Sequence, residues 1–278
     1  MENIVHVSPR DLLSWKKPSD LGLEFTSVRR IELFPGSSVP FETTNTEMCI
    51  VVIKGQMDFQ CCALKGTLNE KGRAEFRDML FLPPHTRAEC SGSETILMAY
   101  EAPSELGANY AHIRFQDIDA NPKYRHVYGK PQTCSVRDVW NYVDSDFRCS
   151  RLMMGICVGR DGGWTAWPPH EHGAEREEIY VYFDMGNSFG VQLVYEDLSD
   201  PGIAVVVQEG DLVSIPRGYH PNVGSPAGRI SYVYCMTARV PGQRNFMDLR
   251  IQKEYGEEFE SNVNTNLPRV LLHISTTL

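Results

Sequence analysis

Glu178-Ile179-Tyr180-Val181-Tyr182-Phe183-Asp184-Met185-Gly186 repeats the pattern of an earlier stretch, Glu47-Met48-Cys49-Ile50-Val51-Val52-Ile53-Lys54-Gly55. In each stretch a glutamate opens a mostly apolar run, and a glycine follows eight residues later. Runs of β-branched and aromatic residues bounded by turn residues favour β-strands. A second pair of stretches, Asp78–Pro83 and Asp211–Pro216, begins 31 and 33 residues after the two glutamates. One β-rich unit therefore occurs twice, about 130 residues apart.

Two copies of a unit built from short strands predict an all-β chain of two double-sheet jelly-roll barrels. We place the first barrel in residues 1–125 and the second barrel in residues 126–278. The connection is expected between Ala120 and Cys149, because the segments 121–125 and 129–131 have the Asn, Pro and Gly content of loops.

The composition is that of a soluble globular protein and limits the partners. The 278 residues carry a net charge of −9, and an acidic chain is a poor ligand for polyanions, so we predict no nucleic-acid partner. The first residues lack the basic and apolar regions of a secretory signal, and no run reaches membrane-spanning length. We therefore expect a cytoplasmic protein without membrane contact, whose eight irregularly spaced cysteines are reduced thiols.

His170-Glu171-His172 is a candidate metal-binding motif. On an extended strand, residues two apart point to the same side, so both imidazoles can reach one ion. Glu177 or Glu178 and the distant His220 would complete a set of three histidines and one carboxylate. This set suits one divalent ion, zinc before Mn, Fe, Co or Ni. So few protein ligands leave coordination positions for a substrate, as in catalytic sites.

The order and spacing of these residues resemble the two motifs of the cupin family. The first motif is matched by five residues and the second by four: Gly163, His170, His172, Glu178 and Gly186, then Gly210, Pro216, Gly218 and His220. The resemblance implies a bicupin, with two double-stranded β-helix barrels in one chain and the metal in the second.

A narrower resemblance covers roughly residues 20 to 240. The stretches 163–172, 177–180 and 216–221 resemble the 5-deoxy-glucuronate isomerases of inositol catabolism. The related 4-deoxy-5-ketouronate isomerases of pectin breakdown fit these motifs less well. The loop between His172 and Glu178 is shorter than is usual in the inositol-pathway enzymes, and the tail from Gln243 onward does not obviously match.

Two adjacent glutamates compete for the carboxylate position. The usual cupin loop length favours Glu177, whereas the repeat favours Glu178, which it equates with Glu47. Strand phase also favours Glu178, because the resembling isomerases have Glu followed by an aliphatic residue and Tyr. We predict Glu178 as the ligand, with Glu177 on the opposite face of the strand.

The first half lacks the His-x-His pair, since Val39, Phe41 and Thr43 stand where the ligands would be. His85 ends the N-terminal copy of the second motif but has no such partners. We therefore predict no metal ligands in the first barrel, which would serve as scaffold or interface.

Other residues are candidates for chemistry or substrate binding. Alternation places Tyr180 and Tyr182 inside the second barrel with Glu178, as catalytic groups or as core aromatics. Gln192, Trp164 and Arg217 are predicted to bind substrate, since arginine binds carboxylates in a bidentate manner. Further candidates are Trp167, Tyr219 and Arg176.

The resemblance implies a metal-dependent aldose–ketose isomerase of a small sugar acid, converting 5-deoxy-glucuronate to 5-dehydro-2-deoxy-gluconate through an enediol. The proton-transferring base stays open between Tyr180, Tyr182, Glu177 and a hydroxide on the metal. Two alternatives remain, a metal-dependent cupin dioxygenase and a non-catalytic sugar-acid binding protein. Barrel strand edges also make a homo-oligomer an open expectation.

Overall fold

The computed structural model describes residues 4–199 and 202–256. The chain is all-β, as predicted, with one short α-helix, α1 (Phe115–Asp119). Short 3-10 turns occur at Asp11–Leu13, Pro18–Leu21, Pro131–Thr133 and Lys253–Tyr255. In the described residues no helix is long and apolar enough to cross a bilayer.

The strands before α1 are, in chain order, β1 (His6–Val7), β2 (Ser27–Leu33), β3 (Ser37–Glu42), β4 (Thr46–Lys54), β5 (Met57–Ala63), β6 (Asn69–Ala74), β7 (Met79–Leu82), β8 (Thr86–Gly92), β9 (Thr95–Pro103) and β10 (Ala111–Ile113). After α1 come β11 (Arg125–Tyr128), β12 (Arg137–Val143), β13 (Leu152–Gly159), β14 (Trp164–Thr165), β15 (His170–Glu171), β16 (Arg176–Tyr182), β17 (Gly190–Val194), β18 (Ile203–Val207), β19 (Leu212–Ile215), β20 (Asn222–Gly224), β21 (Ser231–Ala238) and β22 (Arg250–Ile251).

Two sheets form the first half of the molecule. One has the order β10-β7-β4-β9-β2 and the other the order β3-β8-β5-β6, with antiparallel pairing throughout. Apolar side chains of both sheets, including Ile50, Leu80, Phe59 and Cys90, form one buried cluster.

The second half repeats this plan around the candidate site. A large sheet has the order β1-β19-β16-β21-β13-β12-β11, and a smaller sheet has the order β14-β20-β17-β18. A separate two-stranded sheet pairs β15 with β22. The shared core of the two larger sheets contains Met153, Tyr180, Val207 and Tyr232.

The two halves meet through a third core. Cys49 and Val51 of β4 lie in the same cluster as Ile179 and Val181 of β16. The alternate residues of each strand face the core of their own half. Because β4 and β16 are buried on both faces, each contains a continuous apolar or aromatic run, Met48–Ile53 in β4 and Ile179–Tyr182 in β16, instead of an alternating pattern.

The sheet register corrects the predicted equivalence of Glu47 and Glu178 by one residue. Met48 pairs with Leu82 and Glu178 pairs with Ile215, and each of these partners directly precedes the proline of the repeat. Met48 is therefore the counterpart of Glu178, and Glu47 is the counterpart of Glu177. The spacing to glycine misled the alignment because Gly55 lies seven residues after Met48, whereas Gly186 lies eight residues after Glu178.

The first residues belong to the second half, which the predicted boundary at residue 125 does not anticipate. β1 pairs with β19, with His6 opposite Val213. The change between the two large sheets falls between α1 and β11, inside the predicted connection. The end of the predicted second barrel, residues 257–278, lies outside the described residues.

Candidate metal centre

Three histidines from two separate segments converge. His170 lies on β15, His172 follows that strand, and His220 precedes β20. Their ring centroids are 4.7 to 5.3 Å apart. One nitrogen of each ring lies within 4.8 Å of the other two, a spacing at which a single ion can contact all three.

Glu178, and not Glu177, lies beside this triad. Glu178 Oε2 is 3.2 Å from His172 Nε2 and 3.1 Å from His220 Nε2. The Glu177 carboxylate points to the opposite side of β16, where it accepts hydrogen bonds from the backbone N–H groups of residues 24–26. The period of a β-strand thus separates two adjacent carboxylates into two environments.

The hydrogen bonds of two histidines leave their Nε2 atoms free to bind a metal ion. His170 Nδ1 lies 3.1 Å from the Pro168 carbonyl oxygen, and His220 Nδ1 lies 2.8 Å from that of Gly218. A carbonyl only accepts hydrogen bonds, so both Nδ1 atoms carry the proton and both Nε2 atoms present a lone pair.

An electron-rich nitrogen of His220 faces an electron-rich oxygen of Glu178. His220 Nε2 is buried and has no hydrogen-bond partner among the described groups. Two lone pairs at 3.1 Å require a cation between them, either a proton or a metal ion. Three imidazole nitrogens and one carboxylate oxygen suit Zn, Mn, Fe, Co or Ni. The residues present therefore fit a divalent ion.

Burial sets the protonation state of the site. It holds the pKa of His170 well below its usual value, with the neighbouring histidines adding to the effect. Burial also lowers the pKa of His172, although Glu178 opposes this shift. For Glu178, burial alone would raise the pKa, but the imidazoles of His172 and His220, 3.2 and 3.1 Å away, outweigh this effect and lower the pKa. Neutral imidazoles beside an ionised carboxylate are what metal binding needs.

His170, His172 and Glu178 line a cavity with largely aromatic walls. Its volume is about 100 Å³, several times the space that one water needs. The walls include Trp167, Tyr180, Tyr232, Tyr234 and Phe246. Tyr180 and Tyr232 stack with ring centroids 4.2 Å apart. Burial raises the pKa of Tyr180 well above its usual value, so this phenol stays protonated at neutral pH.

Tyr182 and Gln192 do not reach the cavity, which differs from their predicted roles. The Tyr182 hydroxyl donates to Gln192 Oε1 at 2.6 Å. Gln192 Nε2 in turn donates to the carbonyl oxygens of His220 at 2.7 Å and Pro221 at 3.3 Å. Both side chains are fully buried. They hold the segment that carries His220 and position the site without touching its contents.

Three further candidates also lie outside the cavity wall. Arg217 is exposed, and its Nε lies 2.8 Å from Glu196, because its turn directs the side chain to solvent. Trp164 packs on Trp167 with ring centroids 5.2 Å apart, behind the wall. Arg176 is buried and donates to the Asn245 and Asp248 carbonyl oxygens.

Several residues that line the cavity escaped the sequence reasoning. Arg137 on β12 lines it, together with Val139 of the same strand face. Phe246, Met247 and Leu249 close it from the C-terminal side. Alternation along β12 could have indicated Arg137, but residues 246–249 lie in an irregular stretch with no period to read.

The first half has no equivalent site in the described residues, where the His170, His172 and His220 triad is the one group spaced for a metal ion. Met48 occupies the position equivalent to Glu178 and is buried in the apolar core. The connection from β3 to β4 has three residues, whereas ten residues separate β14 from β16. That connection leaves no room for a His-x-His segment, and His85 is exposed.

Comparison with known proteins identifies a family whose model matches most of this chain. A model of the KduI/IolB family matches residues 5–252, which includes part of the tail. The 5-deoxy-glucuronate isomerase of Geobacillus thermodenitrificans is 36% identical over 230 residues, covering 77% of this chain and 80% of the relative. The enzyme of the same name from Bacillus licheniformis is 26% identical, covering 78% and 82%.

Solved structures with the same fold are cupin proteins. An IolB-like protein from Salmonella typhimurium superposes with a TM-score of 0.75 at 18% identity, covering 88% of this chain and 94% of that chain. The formate complex of Lactobacillus farciminis oxalate decarboxylase gives a TM-score of 0.59 at 10% identity, covering 90% and 89%. At these identities the likeness shows a cupin-like fold and no more.

Proposed function

This chain belongs to the KduI/IolB family, and we propose that it is a metal-dependent aldose–ketose isomerase of a deoxy-uronic acid. The curated relatives are named 5-deoxy-glucuronate isomerase, which places this chain among the isomerases. The proposed reaction is the conversion of 5-deoxy-glucuronate to 5-dehydro-2-deoxy-gluconate in inositol catabolism, in the cytoplasm. We further propose that the two pairs of sheets are two cupin barrels, of which the second is catalytic.

The observation that carries the proposal is the convergence of His170, His172, His220 and Glu178 at a cavity. These four residues would hold one divalent ion, with zinc favoured. When bound, such an ion polarises a carbonyl and so makes the neighbouring C–H more acidic. The mostly apolar walls lower the local polarity, which strengthens electrostatic interactions inside the site.

We assign to Tyr180 the role of hydrogen-bond donor to the substrate oxygen. It lines the cavity beside His220, with ring centroids 5.8 Å apart. Its raised pKa keeps the phenol protonated, so its hydroxyl can donate a hydrogen bond to the substrate oxygen on which negative charge develops as the carbon proton is removed. Tyr182 and Glu177, the other side chains considered, hydrogen-bond away from the cavity.

The test combines metal analysis with an isomerisation assay on wild type and three variants. His170→Ala and Glu178→Gln should each lose most of the bound metal and the conversion of 5-deoxy-glucuronate. Glu177→Gln is the matched control, because it changes the adjacent carboxylate on the other face of β16, and it should keep its metal.

The outcomes separate the rival functions. About one metal ion per chain with isomerisation supports the proposal. Bound iron with oxygen consumption and no isomerisation would favour a dioxygenase. Sugar-acid binding without turnover of any kind would leave a binding protein, and a wild type that takes up no metal would contradict the metal-dependent mechanism.

A further inference from the structure

Among the described residues that line the cavity, Arg137 is the one with a permanent positive charge. It begins β12, where it lies opposite Tyr128 of β11. Its guanidinium carbon lies 5.5 Å from the centre of the Tyr128 ring. The side chain is partly buried, so the charge borders the cavity without being fully solvated.

No carboxylate of the described residues forms an ion pair with Arg137. The adjacent Asp138 points to the other face of β12, where it pairs with Arg160 at 2.5 Å. The carboxylate that lines the cavity, Glu178, is directed at His172 and His220. Within the described part of the chain the Arg137 charge therefore has no anionic partner, although anions are what a partly buried guanidinium prefers.

Two backbone carbonyls fix the guanidinium in place. Arg137 Nη1 donates to the Ser135 oxygen at 3.1 Å, and Nη2 donates to the Trp167 oxygen at 2.6 Å. Trp167 itself lines the cavity. These two bonds orient the guanidinium. Because a guanidinium has more N–H donors than these two bonds use, it still has donors to offer a ligand.

We propose that Arg137 binds the carboxylate of the substrate and is the residue that selects sugar acids over neutral sugars. The inference rests on the proposed function and deepens it: the metal ligands hold the reacting end, and Arg137 holds the anionic end. In support, the positive charge of Arg137 acts to lower the pKa values of Cys157 and Tyr232, two cavity-lining residues, against the dominant effect of burial. Its field therefore extends into the cavity.

The experiment measures binding, so it does not depend on turnover. Calorimetric titrations of the zinc-loaded full chain compare D-glucuronate with D-glucuronamide, which is neutral. Arg137→Met should weaken glucuronate binding by about 10- to 100-fold, as expected for loss of hydrogen bonds to a charged group. Glucuronamide binding should change by less than about 3-fold, and Arg137→Lys should fall between wild type and Arg137→Met for glucuronate.

Arg217→Met is the matched control, because that arginine pairs with Glu196 at the surface, and its affinities should equal those of wild type. If Arg137→Met weakens the binding of glucuronate and of glucuronamide equally, the cause is structural damage at the Trp167 carbonyl, and the proposal is overturned. A wild type that does not prefer glucuronate over glucuronamide would also overturn it. If glucuronate selectivity depends on Arg137 but no uronate is isomerised, the proposed function fails and the carboxylate site stands.

Discussion

Adjacent side chains in this protein carry out different tasks because a strand turns them to opposite faces. Glu178 lies with the histidines, whereas Glu177 binds backbone N–H groups of the N-terminal segment. Tyr180 and Tyr182 share a face, yet only Tyr180 reaches the cavity, because Tyr182 lies farther along β16 and hydrogen-bonds to Gln192. Face and depth along the strand together decide which residue meets a substrate.

Replacing Tyr180 by Phe tests its assigned role directly. Tyr180→Phe keeps the ring that stacks on Tyr232 and removes the hydroxyl that donates to the substrate oxygen. The kcat should therefore fall by roughly 100-fold or more, while the metal content stays unchanged. Tyr182→Phe is the comparison, and it should cost about 1 kcal/mol of stability through loss of the Gln192 hydrogen bond with a much smaller effect on kcat. Similar kcat values for the two variants would remove Tyr180 from the mechanism.

At the scale of elements, a C-terminal strap, residues 246–255, supports the strand that carries His170. β22 pairs with β15, with Ile251 opposite His170. The Gln252 backbone N–H donates to the Pro169 oxygen at 2.9 Å, and its side chain accepts from the Tyr195 hydroxyl at 2.7 Å. β15 has two residues and no other strand partner in the described sheets, so its position depends on the strap.

Gln252→Leu should loosen this strap while leaving the larger sheets intact. The substitution removes the acceptor of the buried Tyr195 hydroxyl, so local opening becomes easier. Hydrogen exchange at the amides of β15 and β22 should accelerate by about 10-fold, with little change at β13 or β21. Gln116→Leu, an exposed change on α1, is the control. Unchanged exchange at β15 would show that the strap does not support the His-x-His segment.

The sequence was sufficient for the elements whose signals are local and periodic. The period of two predicted that His170 and His172 share a side, and the repeated apolar runs predicted β4 and β16. The contribution of the strap to the cavity was missed because residues 246–249 lie in irregular backbone, which has no sequence period. Arg217 was misplaced for a related reason: a turn residue can face either the cavity or solvent, and only the path of the chain decides.

At the scale of the whole molecule, two equivalent glutamates connect the halves, each accepting hydrogen bonds from the backbone of the other half. Glu47 of the first half accepts hydrogen bonds from the backbone N–H groups of Ser150, Arg151 and Leu152 in the second half, at 2.7 to 2.8 Å. Glu177 of the second half accepts those of residues 24–26, at 2.7 to 3.0 Å. Both copies of the repeat thus contain a glutamate clamp, which binds backbone N–H groups of the other half, whereas the residues proposed to hold a metal ion occur in one copy.

These clamps and the shared core between β4 and β16 predict that the two halves unfold together. Glu47→Gln should destabilise the chain by roughly 2 kcal/mol, because a buried neutral amide cannot replace a carboxylate that accepts several N–H groups. Calorimetry should show a single transition at a lower temperature for the variant. Chelation of the metal should lower the temperature of that same transition in both proteins, since a ligand of the folded state stabilises the whole cooperative unit.

Glu32→Gln provides the reference, because Glu32 is an exposed carboxylate on β2 that pairs with Arg30 at 3.0 Å. This substitution should lower the free energy of unfolding by less than about 0.5 kcal/mol. Two separate transitions, of which only one responds to chelation, would mean that the halves are independent domains and that the clamps do not couple them. Coupled unfolding would instead explain how the first half supports the site although it supplies none of the proposed metal ligands. Glu47 fixes residues 150–152 at the start of β13, and β13 lies in the sheet that carries Glu178.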